Sequence, residues 1–355
     1  MIDLVLLTGP APHEEVTGGH RYNAEIVARA RQNAAVVRLV PIHGSTLPQR
    51  VLAARRALRE ARDADAVIVD SIVAAPVALA GHATPPLVAL AHQVPGALGR
   101  GLAGAVSDRL ARAVYRRCDL VIAVSAWVSM RLRSLPVPRA VVEPGAERPV
   151  RAVRRDGDMT RVLSVANWHP HKGILDLVEA ISRMPAAAAM VHLVGAPHAE
   201  TRYGRRVLER LASADVRGRV VVDGVLPVSE TGRAFASADV FALPARGEAF
   251  GIAFAEALAA GLPVVGYRSG NVPALVGGAG LLVEPGDVEG LARALGLVVL
   301  DPDRRDELAA FAHERALGLP TWDETATAFF AALRTGTHFA PTLGRDERQR
   351  TASSA

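Results

Sequence analysis

The sequence predicts an α/β protein built from two consecutive doubly wound parallel-sheet units, and three observations predict it. Short β-branched and aliphatic runs alternate with Ala-, Arg- and Leu-rich helical stretches, the pattern of strands buried on both faces of a parallel sheet. A polar, aperiodic stretch, Glu143 to Asp158 (EPGAERPVRAVRRDGD), interrupts that alternation with two prolines and two glycines, after which it restarts. A length of 355 residues, at roughly 150 per domain, accommodates two such units.

In chain order, the first unit offers strands at Asp3 to Leu7, Val36 to Val40, Ala66 to Val69, Leu87 to Leu90, Leu120 to Val124 and Ala140 to Val142. The second offers Val162 to Val165, Met190 to Val194, Val220 to Val222, Val240 to Leu243, Pro263 to Val265 and Leu281 to Val283. The expected organisation is a first Rossmann-like domain over 1–145, a linker over 146–160 and a second Rossmann-like domain over 161–320. Thr321-Trp322-Asp323-Glu324 opens an amphipathic helix over 321–334, and the polar stretch 335–355 reads as a disordered tail.

Half of the residues are hydrophobic and 22% are charged, which supports a sizeable core and excludes global disorder. Forty-one Lys and Arg against 36 Asp and Glu give a net charge of +5, suited to a phosphorylated ligand, a nucleic acid or an acidic membrane. Aromatic residues are only 4% and are not interleaved with the basic ones, so nucleic acid is not expected as a partner. Cys118 is the single cysteine, which excludes an internal disulfide and makes a reducing, cytoplasmic setting the expectation. Met1 to Leu7 carries Asp3 and no basic flank, so it reads as a first strand and not a signal peptide. The longest apolar stretch, Ala66 to Ala91, is broken by Asp70, Pro76, His82, Pro85 and Pro86, so no membrane span is expected. The basic helix Arg100 to Arg117, with Arg109, Arg112, Arg116 and Arg117, has two readings. It is a peripheral contact with the inner face of an anionic membrane, or a domain surface whose arginines snorkel past a buried stripe.

The richest stretch is Pro244 to Val265 (PARGEAFGIAFAEALAAGLPVV). A strand ends in a loop holding Gly247 and Gly251, and a helix runs from near Gly251 to about Ala260, where Gly261 and Pro263 stop it. Its amino terminus lies at the carboxyl end of a parallel strand, where unpaired N–H groups and the helix dipole favour a phosphate. Glu248 stands before the helix and Glu256 in its second turn, so one carboxylate can face a sugar and the other a ribose. The plain alternative makes Glu248 an amino-terminal helix charge and Glu256 a solvated face, but Phe254, Ala255, Ala257 and Leu258 make this helix too apolar for a surface.

Glu248-Ala-Phe-Gly-Ile-Ala-Phe-Ala-Glu256-Ala-Leu-Ala-Ala-Gly261-Leu-Pro263, followed by Gly270-Asn-Val-Pro-Ala and Leu282-Val-Glu-Pro-Gly286-Asp, resembles the carboxyl-terminal signature of the retaining glycosyltransferases of family 4. The resemblance runs upstream through Ala238 to Pro244, Asp223-Gly224, His192 to Gly195, Lys172-Gly173, Cys118 to Ser125 and Gly18-Gly19. It implies a GT-B fold, with two Rossmann-like domains facing across a cleft and a nucleotide-diphosphate sugar held mainly by the second. No cofactor and no metal are implied. By resemblance Glu248 binds sugar hydroxyls, Glu256 the ribose, and Lys172 the diphosphate, while the backbone around Ala249, Phe250, Gly251 and Ile252 meets the sugar and diphosphate. Gly18 and Gly19 would form a loop whose amides approach the phosphate; the plain reading is a turn that starts a helix. His92, after the strand Leu87 to Ala91, stands where relatives direct a histidine at the donor, against a structural reading of a lone strand-end histidine. Asp70 either lines the same cleft or caps a helix.

By resemblance Asn167 stands at a donor-binding position, but the chain departs from the family pattern there, where an arginine usually precedes the phosphate lysine; His169 or His171, if protonated, would restore the charge, against a plain reading of both as loop residues. Glu143-Pro144-Gly145 also stands where relatives have proline, asparagine and glycine. Gly99-Arg-Gly101-Leu-Ala-Gly104 and Asp63-Ala-Asp65 match known patterns out of context and read as a loop and a helix-to-strand turn. The expected function is retaining transfer of a sugar to a hydroxyl of an unknown small-molecule, glycan or lipid acceptor. Nucleotide-sugar epimerisation or hydrolysis, and non-catalytic binding, stay open beside it.

Overall fold

The computed structural model describes residues 1–10, 17–95, 101–146, 159–185 and 188–336. Most of the expected linker and of the expected tail lies outside them. The first sheet comprises β1 (Ile2–Thr8), β2 (Ala35–Pro41), β3 (Ala66–Asp70), β4 (Leu87–Ala91), β5 (Leu120–Ala123) and β6 (Arg139–Val141), in the order β2-β1-β3-β4-β5-β6. The second comprises β7 (Thr160–Val165), β8 (Ala189–Val194), β9 (Val220–Gly224), β10 (Val240–Leu243), β11 (Val264–Tyr267) and β12 (Gly280–Val283), in the order β12-β11-β10-β7-β8-β9. All strand pairs in both sheets are parallel, with β1 in register between Ala35–Pro41 and Ala66–Val69. The strands anticipated from sequence are all present, because central strands such as Leu4 to Leu7 and Val67 to Val69 are covered on both faces and must be apolar throughout.

Crossover helices close each layer. α1 (Gly18–Ala28) follows β1; α2 (Leu47–Glu60), α3 (Ala74–Ala80) and α4 (Gly101–Tyr115) follow β2, β3 and β4, and α5 (Ala126–Arg131) follows β5. α2 opens with a full capping box between Thr46 and Gln49, with Pro48 in its first turn. In the second half α6 (Ile174–Ser182), α7 (Arg202–Leu211), α8 (Val228–Ser237), α9 (Ile252–Ala259), α10 (Val272–Val276), α11 (Val288–Leu300) and α12 (Pro302–Leu317) pack around the second sheet. Gly99 and Arg100 lie outside the described residues. Asp65 accepts the Asp3 amide at 2.8 Å, the turn role expected of Asp63-Ala-Asp65.

One element settles elsewhere than its place in the chain suggests. α13 (Trp322–Gly336) starts as expected, with Thr321 and Glu324 capping each other, but it returns to the first half and packs on α1 and β5. Its Trp322 and Phe329 meet Tyr22 edge-on at centroid distances of 6.1 and 6.3 Å, and all three are buried. The departure at Glu143-Pro144-Gly145 lies at this crossing. The Glu143 carbonyl accepts from Thr325 Oγ1 at 2.9 Å, and Gly145 lies so close to Thr321 and Trp322 that a Cβ would overlap their backbone.

Candidate active site

Each sheet has one point where successive crossovers run in opposite directions, between β7 and β10 in the second sheet and between β1 and β3 in the first. A crevice opens outside the carboxyl ends of strands at such a point, and ligands of doubly wound folds bind there. The predicted site residues collect at these two edges.

In the second half, the segment after β7 and the segment after β10 touch through their backbones. Gly173, at φ +72°, precedes α6, and a Cβ there would overlap the Pro244 carbonyl, so only glycine permits the approach. The Arg246 amide donates to the His171 carbonyl at 2.7 Å. Across this contact Lys172 Nζ forms an ion pair with Glu248, both side chains largely shielded from water. The Glu248 loop is held from behind: the Asn271 amide donates to the Glu248 carbonyl at 2.9 Å, Asn271 Nδ2 to the Phe250 carbonyl at 3.2 Å, and Ser269 Oγ to the Ala245 carbonyl at 2.6 Å. The Gly270-Asn271 motif is therefore a brace for Glu248. Gly251, at φ +100°, is the N-cap of α9 and offers no side chain to its first N–H groups, while the Phe250 ring is buried in the core.

Asn167 is tied into the structure: its Oδ1 accepts the Ala196 amide at 3.0 Å, joining the segments after β7 and β8. His169 stacks on His171 at 5.6 Å and on His198 at 4.7 Å. Burial, and then the Lys172 charge, push the His171 imidazole down to about 4, so it is neutral at pH 7 and does not replace the missing arginine charge. A guanidinium nearby, unmarked by any sequence pattern, belongs to Arg246, which pairs with Asp176 and lies over the Tyr267 ring.

In the first half, Gly18 and Gly19 do not form a loop. They are the first turn of α1, because Thr17 Oγ1 accepts the His20 amide and caps the helix there. Their lack of side chains lets the turn approach both halves: a Cβ on Gly19 would lie 3.3 Å from His92 Cδ2, and one on Gly18 3.3 Å from Ile252 Cδ1. His92 belongs to a buried polar network that sequence reasoning saw only in part. Asn23 Nδ2 donates to Asp70 Oδ2 at 2.9 Å and to Thr8 Oγ1 at 3.2 Å, and Thr8 Oγ1 donates to Asp70 Oδ2 at 2.9 Å. Asn23 Oδ1 is thereby left to accept from His92 Nε2 at 2.9 Å, which assigns the proton to Nε2 and leaves Nδ1 an acceptor. Burial lowers the His92 pKa, outweighing Asp70. Asp70 also caps the turn at Ser71, with Oδ1 accepting the Ile72 amide at 3.1 Å.

The two edges are joined. Arg21, two positions past Gly19, forms an ion pair with Glu256 of α9, and Ser125 Oγ just after β5 donates to the Ala249 carbonyl at 2.6 Å. Neither Arg21 nor Ser125 was identifiable as a bridging residue in sequence, since their partners lie more than a hundred positions away.

Two doubly wound sheets whose switch points face each other, with a lysine–carboxylate pair and a glycine-capped helix at one of them, define a GT-B architecture. Residues 4–147 match the family described as Glycosyltransferase Family 4, and residues 160–301 that described as Glycosyl transferases group 1. The chain belongs to the family-4 glycosyltransferases. The GDP-mannose-dependent alpha-(1-6)-phosphatidylinositol monomannoside mannosyltransferase of Mycobacterium tuberculosis is 32% identical over 256 residues, 63% of this chain and 65% of that protein, just under two thirds of its length. Among solved structures, sucrose-phosphate synthase from Thermosynechococcus elongatus superposes with a TM-score of 0.80 at 19% identity over 99% of this chain and 100% of its own. Anabaena HepE in complex with UDP and glucose does so with a TM-score of 0.78 at 18% identity over 95% and 100%.

Proposed function

We propose that the protein is a retaining glycosyltransferase that moves a sugar from a nucleotide-diphosphate sugar to an acceptor hydroxyl without a metal. The observation that carries the reading is the Lys172–Glu248 pair beside the glycine-capped start of α9, at the switch point of the second sheet. Residues 161–320 form the donor domain and residues 1–145 the acceptor domain. Lys172 and the N–H groups at Phe250, Gly251 and Ile252 neutralise charge that grows on the departing diphosphate, which is most effective from a preorganised site. Glu248, released by Lys172 as the diphosphate arrives, accepts from sugar hydroxyls, and Glu256 accepts from the ribose. Gly18 and Gly19 keep the α1 turn close to the phosphate, and His92 presents Nδ1 toward the sugar. The donor phosphate takes the acceptor proton on the face from which it leaves, so no protein nucleophile is required.

The mannosyltransferase relative uses GDP-mannose and HepE binds UDP and glucose, which supports a nucleoside-diphosphate donor of either kind. A thermal-shift screen of UDP-, GDP-, ADP- and dTDP-sugars identifies the donor, because binding stabilises the native state by mass action. With that donor, Glu248→Ala is expected to lower transfer at least a hundredfold, about 3 kcal/mol of lost orientation and charge complementarity, with an unchanged melting midpoint. Full activity in the variant overturns the assignment, and release of free or epimerised sugar from donor alone establishes a different reaction.

A further inference from the structure

The glycosyl-transfer reading assigns only part of the positive charge, and one face of the first half carries a large share of the remainder. By chain direction α2, α3 and α4 all lie on one side of the first sheet, and α3 packs against both of the others. Segments 47–62 and 101–117 carry nine arginines against two carboxylates, an excess larger than the +5 of the whole chain. The same face is apolar. Leu47, Pro48, Val51, Leu52 and Arg55 of α2, with Leu79 of α3, line a groove of about 380 Å³, and Leu52 is 68% exposed, Leu47 and Leu79 45% each. Val106 of α4 is 49% exposed.

We propose that this face docks on an anionic lipid bilayer, with Leu47, Leu52, Leu79 and Val106 entering the headgroup boundary and the arginines ringing them at the phosphate level. Leucines protruding between arginines gain nothing on a nucleic-acid backbone, and Tyr115, the sole aromatic residue of the two segments, is buried and gives bases no platform. A second copy of the same face would set like charges against each other. Six of the nine arginines have partners within the fold: Arg50 Nε, Arg55 Nε and Arg117 Nη2 donate to the Gly44, Ala80 and Ala78 carbonyls at 2.9, 3.2 and 3.4 Å, and Arg56, Arg62 and Arg112 pair with Glu60, Asp63 and Asp108. Arg59, Arg109 and Arg116 are exposed. Leu47 opens α2 just beyond the carboxyl end of β2, the sheet edge that also carries the Gly18-Gly19 turn and His92, so a docked molecule holds its acceptor side near the lipid surface.

The proposal stands on the surface itself and not on the identity of the donor. Flotation of the full chain with phosphatidylcholine vesicles containing phosphatidylglycerol, and with phosphatidylcholine alone, tests it. Binding is expected to the anionic vesicles only and to weaken with added salt. An arginine near such a surface contributes roughly fivefold, so Arg59→Ser, Arg109→Ser and Arg116→Ser together should lower partition at least tenfold. Leu52→Glu should do so as well, and both variants should keep the parent's melting midpoint and donor-induced thermal shift. Equal binding to uncharged vesicles, no binding to anionic ones, or unchanged partition in either variant overturns the proposal. Binding of single-stranded polynucleotide that the arginine variant loses and Leu52→Glu retains would show a general polyanion surface in its place.

Discussion

At the scale of single residues, burial outweighs neighbouring charge in setting the protonation of two histidines beside the candidate site. His171 lies against Lys172, Glu248 and His169, and its pKa of about 4 stands below the ordinary value near 6.5. The unfolded chain therefore binds a proton that the native state refuses as pH falls from about 6.5 to about 4, and native stability declines across that window; above it His171 contributes no slope. His92 is lowered by burial and acts in the same direction. His171→Asn is expected to lose less stability than the parent between pH 7 and pH 5 in urea unfolding, and equal losses would contradict the assigned burial. His92, Glu248 and Lys172 were legible because strand ends and motif spacing mark them. Asn23 and Thr8, which set the tautomer of His92, carry no such mark, since their meaning depends on three strands and a helix meeting at one point.

Among elements, the glycine turn of α1 separates function from stability. Glycine is a poor helix residue, about 1 kcal/mol worse than alanine, yet two begin this helix. Gly19→Ala should therefore leave the melting midpoint equal or raised, while its Cβ, 3.3 Å from His92 Cδ2, displaces the ring by a few tenths of an ångström. Transfer should fall roughly three- to tenfold from that misalignment. Lower stability with undiminished transfer would mean that the glycines serve the helix and not the site. Apolar runs and turn residues announced every strand of both sheets. At the start of α1 the sequence leaves a phosphate loop and a helix-starting turn side by side, and the Thr17 cap selects the turn.

For the whole molecule, the two halves are held together across the cleft by Arg21–Glu256 and by Ser125 on the Ala249 carbonyl, and from behind by α13 on the first sheet. The first of these occupies the carboxylate proposed for the ribose, so closure without donor and donor binding compete for Glu256. Arg21→Gln should raise the radius of gyration of the ligand-free protein in solution scattering above the parent's, which for a compact chain of this length is about 20 Å. Addition of donor should bring the variant back toward the parent value. Identical scattering of the two proteins without ligand would show that Arg21 does not hold the cleft.

Length, strand periodicity and the Glu248-to-Glu256 signature by themselves determined the α/β class, the two units and the family, because these depend on local hydrophobic pattern and on closely spaced residues. Only the tertiary structure decided that α13 belongs to the first sheet, that Asn167 is a brace, that Arg21 meets Glu256, and that arginines from two helices and exposed apolar side chains from three share one face. Those are contacts between distant segments, and periodicity along a chain records which side of an element is buried but not what is packed against it.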